Sequence, residues 1–123
     1  MLDDFSCTGH DDAMLIYKIF RAAEWATLQA DCETVGAPID VTDGYIHFST
    51  AETLSETTVK YFANVEGLVL LAIETEGLET LKWEPAREGV SFPHLYRKLR
   101  MDDVVWSKPL PLVEGTHRFP DLT

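Results

Sequence analysis

Basic residues are scarce in this 123-residue chain. Ten lysines and arginines stand against 21 aspartates and glutamates, which gives a formal net charge of −11. Nucleic-acid binding draws most of its affinity from cations that neutralise phosphates, and anionic membrane surfaces attract basic segments. The composition therefore predicts no nucleic-acid partner and no membrane partner. It leaves room for a small phosphorylated ligand, which needs only one local basic spot.

Cysteines and long apolar runs are also lacking. The two cysteines are Cys7 and Cys32, and the longest apolar run, LVLLAI at residues 68–73, is too short to span a bilayer. The first residues, MLDDFSCTGHDD, are acidic and have no apolar segment of the kind that a secretory signal contains. The sequence thus predicts a cytoplasmic protein with two free thiols.

Several catalytic and cofactor motifs are missing. Two histidines and a carboxylate can bind Zn²⁺ or Fe²⁺, so His47, His94 and Glu84 form a conceivable metal set. Without H-E-x-x-H or paired cysteines, however, no metal is predicted. The chain has no Walker loop and no G-x-G-x-x-G, and the HFST segment lacks the G-x-S-x-G elbow of a serine nucleophile.

The length fits one domain, and 46% hydrophobic residues is typical of a globular protein. Residues 1–13 are polar and aperiodic, which predicts a disordered extension before a single domain at residues 14–123. Strands are predicted at residues 14–20, 45–48, 67–74, 81–84, 92–96 and 102–107, with an irregular tail from 108. A helix is predicted at 22–30, a loop at 36–44, and a second helix to about residue 63. Ser49 or Thr50 would cap that helix, with Glu52 completing a capping box. This order predicts an α+β fold with mostly antiparallel sheet and two helices in the N-terminal half.

A histidine stands in the short predicted strand YIHF, within the segment DGYIHFST. Side chains alternate across a strand, so Ile46 and Phe48 share one face and are the natural core residues. His47 then shares the other face with Tyr45 and Ser49. The pattern predicts that His47 lines a ligand cleft rather than the core.

The segment FPHLY repeats this arrangement. Phe92, His94 and Tyr96 share one face, and Pro93 cannot donate to a ladder, which predicts an edge or a bulge. Two imidazoles, aromatic faces, a carboxylate and a helix N-terminus could hold a flat heterocycle and a phosphate. The predicted catalytic residues are His47, His94 and Glu84. The predicted ligand-binding residues are Tyr45, Ser49, Thr50, Trp83, Phe92, Tyr96 and Arg97, the last from the basic cluster RKLR.

Each of these residues also has a structural interpretation. A lone histidine in a strand is usually a hydrogen-bonded structural residue. Glu84 fits a solvated charge, Trp83 fits a core aromatic, and Ser49 and Thr50 are explained by capping alone. The case for a site therefore depends on His47 and His94 sharing one surface.

The segments IYKI, DGYIHFSTAE, LVLLAIE, LKWE and FPHLYR, in this order, resemble a small, mostly bacterial family called domain of unknown function 952. The resemblance covers roughly residues 15–113. It implies a fold that resembles the ADP-ribosyltransferase fold, with two packed antiparallel sheets around a cleft. That fold includes NAD-dependent transferases and RNA 2′-phosphotransferases, and YIHFST looks like the histidine strand of the latter. The chain shows no clear match to their catalytic glutamate strand or arginine set.

Two functions follow from this combination. In the first, the chain binds, and as an enzyme transforms, NAD or another ADP-ribose-containing nucleotide as its small-molecule ligand. In the second, it is a non-catalytic domain that binds a small molecule or a protein, with structural histidines. Fold alone decides neither.

Overall fold

The computed structural model describes residues 14–85, 89–120 and 122. The predicted disordered extension at 1–13, including Cys7, lies outside the described residues. The described chain is an α+β fold with mostly antiparallel sheets and three α-helices. No helix in this part of the chain is both long and apolar enough to cross a membrane.

The helices are α1 (Ala22–Asp31), α2 (Pro38–Asp43) and α3 (Leu54–Phe62). The strands are β1 (Leu15–Phe20), β2 (Glu33–Thr34), β3 (Ile46–His47), β4 (Leu68–Glu74), β5 (Leu81–Pro85), β6 (Ser91–Leu95), β7 (Leu99–Arg100), β8 (Val104–Leu110), β9 (Leu112–Val113) and β10 (Thr116–His117).

The first sheet is antiparallel with the order β1-β4-β8. Its central strand, β4, is a continuous run of apolar residues because both of its faces are buried. On one face Leu71 and Ile73 join the core with Ile16 and Phe20 of β1. On the other face a second cluster includes Leu70 and residues of α3 such as Leu54.

The second sheet is also antiparallel, with the order β3-β6-β5. Its inner residues Ile46, Phe48 and Leu95 are buried in the same cluster as Ile16 and Phe20, so one face of this sheet packs on the first. The chain after β3 also joins the two sheets directly. The backbones of Tyr17 and Ser49 exchange two hydrogen bonds of 2.8 Å. Two short pairs, β2 with β7 and β9 with β10, complete the fold.

The prediction of a loop at residues 36–44 was wrong, because residues 38–43 form α2. Pro38 supplies the fixed φ of a first helical turn, and the Asp40 carboxylate accepts a hydrogen bond from the Ala37 N–H at 2.7 Å. Gly44 then ends the helix with φ +86°.

Three other expectations also differ from the structure. The helix predicted from Ser49 begins at Leu54, and residues 51–53 form a turn. Pro93 lies in the central strand of its sheet, where Phe48 donates to its carbonyl at 3.0 Å. Ser49, the residue after Phe48, already pairs with Tyr17 of β1. Phe48 lies opposite Pro93 and donates to its carbonyl, so the missing proline N–H costs this ladder one hydrogen bond where β3 ends. Finally, the tail from 108 contains the end of β8 and the β9–β10 pair.

Candidate functional site

The outer face of the second sheet carries a row of ionisable side chains. His47 and His94 lie directly opposite each other in β3 and β6, and Lys82 of β5 lies opposite His94. The two imidazole centroids are 5.3 Å apart with the rings at 71°. The structure therefore brings the two predicted histidines together on one surface, as the site hypothesis requires.

Two tyrosines adjoin these histidines. The Tyr45 ring stacks on His94 at a centroid distance of 4.2 Å and contacts His47 at 4.7 Å. It also lies 5.1 Å from the Tyr96 ring. We call Tyr45, His47, His94 and Tyr96 the ring cluster. Aromatic faces carry negative electrostatic potential, so such a cluster attracts flat and cationic groups.

Glu84 holds one side of the ring cluster. Its Oε1 lies 2.7 Å from Nδ1 of His94 and accepts a hydrogen bond of 2.6 Å from the Tyr96 hydroxyl. That hydrogen bond raises the pKa of Tyr96 to about 12, because an ionised phenol would lose the bond and face the carboxylate charge. The hydrogen bonds from Tyr96 and then His94 lower the pKa of Glu84. A carboxylate that orients an imidazole in this way is the arrangement of a general acid or base.

The buried ion pair of Lys18 and Asp40 holds His47 in position. Nδ1 of His47 lies 2.6 Å from Oδ1 of Asp40, which also accepts the His47 backbone N–H at 3.0 Å. The second carboxylate oxygen of Asp40 lies 2.7 Å from Nζ of Lys18. That ammonium donates to the His47 carbonyl at 2.9 Å. Lys18 and Asp40 thus fix both the backbone and the ring of His47.

Burial disfavours the charged form of both partners of this pair, so it shifts their pKa values in opposite directions. It would raise the pKa of Asp40, but the hydrogen bond from His47 and the charge of Lys18 outweigh it and lower that pKa. Burial lowers the pKa of Lys18, although the Asp40 carboxylate opposes the shift. A desolvated ammonium and carboxylate in contact depend on each other, so loss of either partner strands a buried charge.

A third carboxylate reaches the exposed side of His47. Nε2 of His47 lies 3.0 Å from Oδ2 of Asp43, whose side chain is 38% exposed. Burial and the nearby charges of Asp43 and Glu84 raise the pKa of Tyr45, which keeps its phenol neutral. The ring cluster is therefore lined by carboxylates, with Lys82 Nζ over the Tyr96 ring at 5.0 Å as a cation at the opposite end.

The remaining predicted ligand-binding residues are not in the ring cluster. Ser49 donates to the Thr57 hydroxyl at 3.2 Å, and the Thr50 hydroxyl accepts from the Thr53 N–H at 3.3 Å, so both organise the start of α3. Trp83 pairs with Pro93 and points to the opposite face of the sheet from His94. Phe92 shares the face of His94 and lies opposite Glu84, one row beyond the rings.

Arg97 does not present a free guanidinium to this face. It makes a two-point ion pair with Asp103, with N–O distances of 2.9 and 3.1 Å, and donates to the Lys98 carbonyl at 2.6 Å. The hydrogen bond to Asp103 raises the pKa of Arg97. A guanidinium engaged in this way is a structural clamp between the end of β6 and the 3₁₀ turn (Met101–Asp103) before β8.

Two cavities of the described chain lie away from the ring cluster. A cavity of about 270 Å³ lies elsewhere, lined by residues such as Glu74, Gly77 and Asp102. Another of about 150 Å³ lies between α3 and the β10 region, near Val59 and His117. Neither includes a ring-cluster residue. The described residues also contain no group of three or more His, Cys, Asp or Glu side chains able to hold a metal ion.

Sequence reasoning missed four residues of this site: Lys18, Asp40, Asp43 and Lys82. Lys18 stands in a strand whose other residues are almost all apolar, and such a buried lysine needs a partner. Asp40 and Asp43 are three residues apart, the spacing that places both on one face of a helix. The helical spacing was not applied, because residues 36–44 were predicted to be a loop.

Comparison with known proteins identifies the family of this chain. The family described as "Protein of unknown function (DUF952)" matches residues 19–107. The chain belongs to this family. The chain is similar to protein CC0527 from Caulobacter crescentus, whose crystal structure is 44% identical with a TM-score of 0.81, covering 85% of this chain and 93% of that one. Its solution NMR structure is 44% identical with a TM-score of 0.75, covering 84% and 90%. No curated protein sequence matches this DUF952 chain.

Proposed function

We propose that this protein binds NAD or another ADP-ribose-containing nucleotide with the ring cluster, and that His94 and Glu84 act on the bound ribosyl group. The observation that carries the proposal is the contact of the two imidazoles, 5.3 Å apart, beneath a tyrosine that stacks on one of them. The resemblance to the ADP-ribosyltransferase fold supports the ligand class.

The charge of the face suggests which end of the nucleotide it holds. Asp43 and Glu84 flank the rings, and Arg97 is paired with Asp103. The surface around the ring cluster is therefore unfavourable for a pyrophosphate. The nicotinamide of oxidised NAD⁺ is a flat cation, which stacked tyrosines and nearby carboxylates attract. The phosphates would then extend toward Lys82, the cation on β5.

The chemistry that fits this geometry is cleavage of the nicotinamide–ribose bond. When the C–N bond breaks, its electron pair leaves with nicotinamide and positive charge develops on the ribosyl group. The Glu84 carboxylate can stabilise that charge. His94, oriented by Glu84, can take the proton of the incoming hydroxyl or water as its oxygen bonds to the ribosyl carbon.

Binding is tested by thermal unfolding with NAD⁺, NADH and ADP-ribose. A ligand at about a hundred times its Kd stabilises a protein by roughly 2.7 kcal/mol. We expect NAD⁺ to stabilise more than NADH, which has the same size but a neutral ring, and His94→Gln to remove the effect. His117→Gln is the control, because His117 makes its own contact with the Val65 carbonyl at 2.8 Å. Absent shifts with all three nucleotides would refute the proposal, and equal shifts would refute the placement of nicotinamide on the ring cluster.

A second candidate is a non-catalytic binding domain. The observation that favours it is that both histidines already have carboxylate partners, at 2.6 to 2.7 Å from their Nδ1 atoms. Release of free nicotinamide from NAD⁺, followed by NMR, separates the two candidates. The enzyme releases nicotinamide and Glu84→Gln does not, whereas a binding domain stabilised by NAD⁺ leaves it intact.

A further inference from the structure

The two ring nitrogens of His47 are held by carboxylates of different accessibility. Nδ1 faces Asp40, whose side chain is fully buried, at 2.6 Å. Nε2 faces Asp43, whose side chain is 38% exposed, at 3.0 Å. A ligand that reaches His47 from solvent therefore meets Nε2 and Asp43 together, while Asp40 keeps the ring in place.

We propose that Asp43 is a specificity residue that makes Nε2 of His47 a position for a sugar hydroxyl and closes it to phosphate. The ribose assignment rests on the proposed function, and the exclusion of anions does not. A hydroxyl can donate to the Asp43 carboxylate, and its oxygen can accept from Nε2 when that nitrogen carries a proton. A phosphate group brings a like charge to the same carboxylate, and like charges at contact distance repel strongly.

Asp43 is the charged side chain with the strongest electrostatic effect at Nε2 of His47. Lys18 is the cation nearest to the His47 backbone, but it is buried and paired with Asp40 at 2.7 Å. Lys82 lies on β5, two strands from His47, which is about 10 Å at ordinary strand spacing. Glu84 adds a further negative charge beside His94. Neither of these two lysines is placed to offset the charge of Asp43 at Nε2.

Asp43 lies at a partly exposed helix end rather than in the core. It is the last residue of α2, and Gly44 follows in the left-handed region with open space around it. The described contacts of its carboxylate are with His47 alone. Its removal should therefore change the ligand preference of Nε2 and leave the core intact.

The test compares Asp43→Asn with Glu66→Gln, an exposed substitution that changes the net charge by the same amount. Inorganic sulfate is the anion probe, because it carries no proton to donate, and the ring NMR signals of His47 at about pH 6 are the readout. We expect sulfate to shift these signals in Asp43→Asn, and to leave them unchanged in the wild type and in Glu66→Gln. Equal shifts in the wild type and Asp43→Asn, or no shift in either, would overturn the proposal.

A second arm tests the hydroxyl. NAD⁺ should bind Asp43→Asn about tenfold more weakly than it binds the wild type or Glu66→Gln, because a hydrogen bond to a charged group is lost. Unchanged NAD⁺ affinity would overturn the assignment of the sugar hydroxyl to this position. If the wild type binds no NAD⁺, the proposed function fails, and the sulfate comparison still decides whether Asp43 closes Nε2 to anions.

Discussion

Replacement of Asp40 by alanine should strongly destabilise this protein. The Asp40 carboxylate accepts or shares four contacts, from the Ala37 N–H, the His47 N–H, the His47 ring and the Lys18 ammonium, all at 2.6 to 3.0 Å. Loss of one partner from a buried ion pair costs about 3–5 kcal/mol, because the other charge is left without compensation. For a domain of this size, that is a loss of roughly 10–25 °C in Tm.

The assay is urea unfolding followed by tryptophan fluorescence, with the double variant Lys18→Met, Asp40→Ala as the decisive comparison. Lys18→Met alone leaves Asp40 its other donors and should cost less, on the order of 1–3 kcal/mol. Because the double variant no longer buries an unpaired charge, it should be more stable than the sum of the single losses by about 1–3 kcal/mol. The denaturant slope should stay unchanged, which shows that the same surface unfolds.

The same variant predicts a change in acid stability. The folded pKa of Asp40 lies below its unfolded value near 3.8, so its contribution is present above that pH and is lost as pH falls through the folded pKa. The wild type should therefore lose stability in acid more steeply than Asp40→Ala does. An Asp40→Ala cost below about 1 kcal/mol, or strict additivity with Lys18→Met, would refute the assignment of this pair as the support of His47.

Three further outcomes are expected. Gly36→Ala should lower the free energy of unfolding by about 1–3 kcal/mol, because φ is +100° and a Cβ would meet the Asp40 side chain. The control Gly77→Ala, with φ +78° and open space for a Cβ, should cost about 1 kcal/mol in thermal unfolding. Equal costs would contradict this account of Asp40. Glu84→Gln should bring the pKa of Tyr96 down from about 12 toward 10.0 in a spectrophotometric titration, and an unchanged value would show that the Tyr96–Glu84 bond is not formed in solution. Arg97→Lys should lower the free energy of unfolding by about 1 kcal/mol through loss of the two-point pair with Asp103, and should leave NAD⁺ affinity unchanged. Weaker NAD⁺ binding would show that Arg97 contributes to the ligand site.

Part of this structure could be predicted from local patterns. The alternation in YIHFS placed Ile46 and Phe48 in the core and His47 on the outer face, and the buried residues confirm it. The apolar run of β4 likewise predicted a central strand. These features depend only on which residues must leave water, a property that short segments carry by themselves.

Other features depended on contacts between distant segments. α2 is six residues long, and Asp40 ties it to Lys18 and His47, so its stability comes from tertiary contacts rather than from its own composition. Arg97 next to FPHLY looked like a phosphate ligand until its pairing with Asp103 was known. Pro93 looked like an edge residue because the sequence did not show that β3 leaves the ladder at that point.

The most direct test of the central claim is a titration of isotope-labelled protein with NAD⁺, followed by backbone and histidine-ring NMR. The account predicts saturable shifts confined to β3, β5, β6 and the end of α2, with the His94 ring among the largest, and their loss in His94→Gln. Saturable shifts centred on either cavity away from the ring cluster, or no shifts at millimolar NAD⁺, would contradict it.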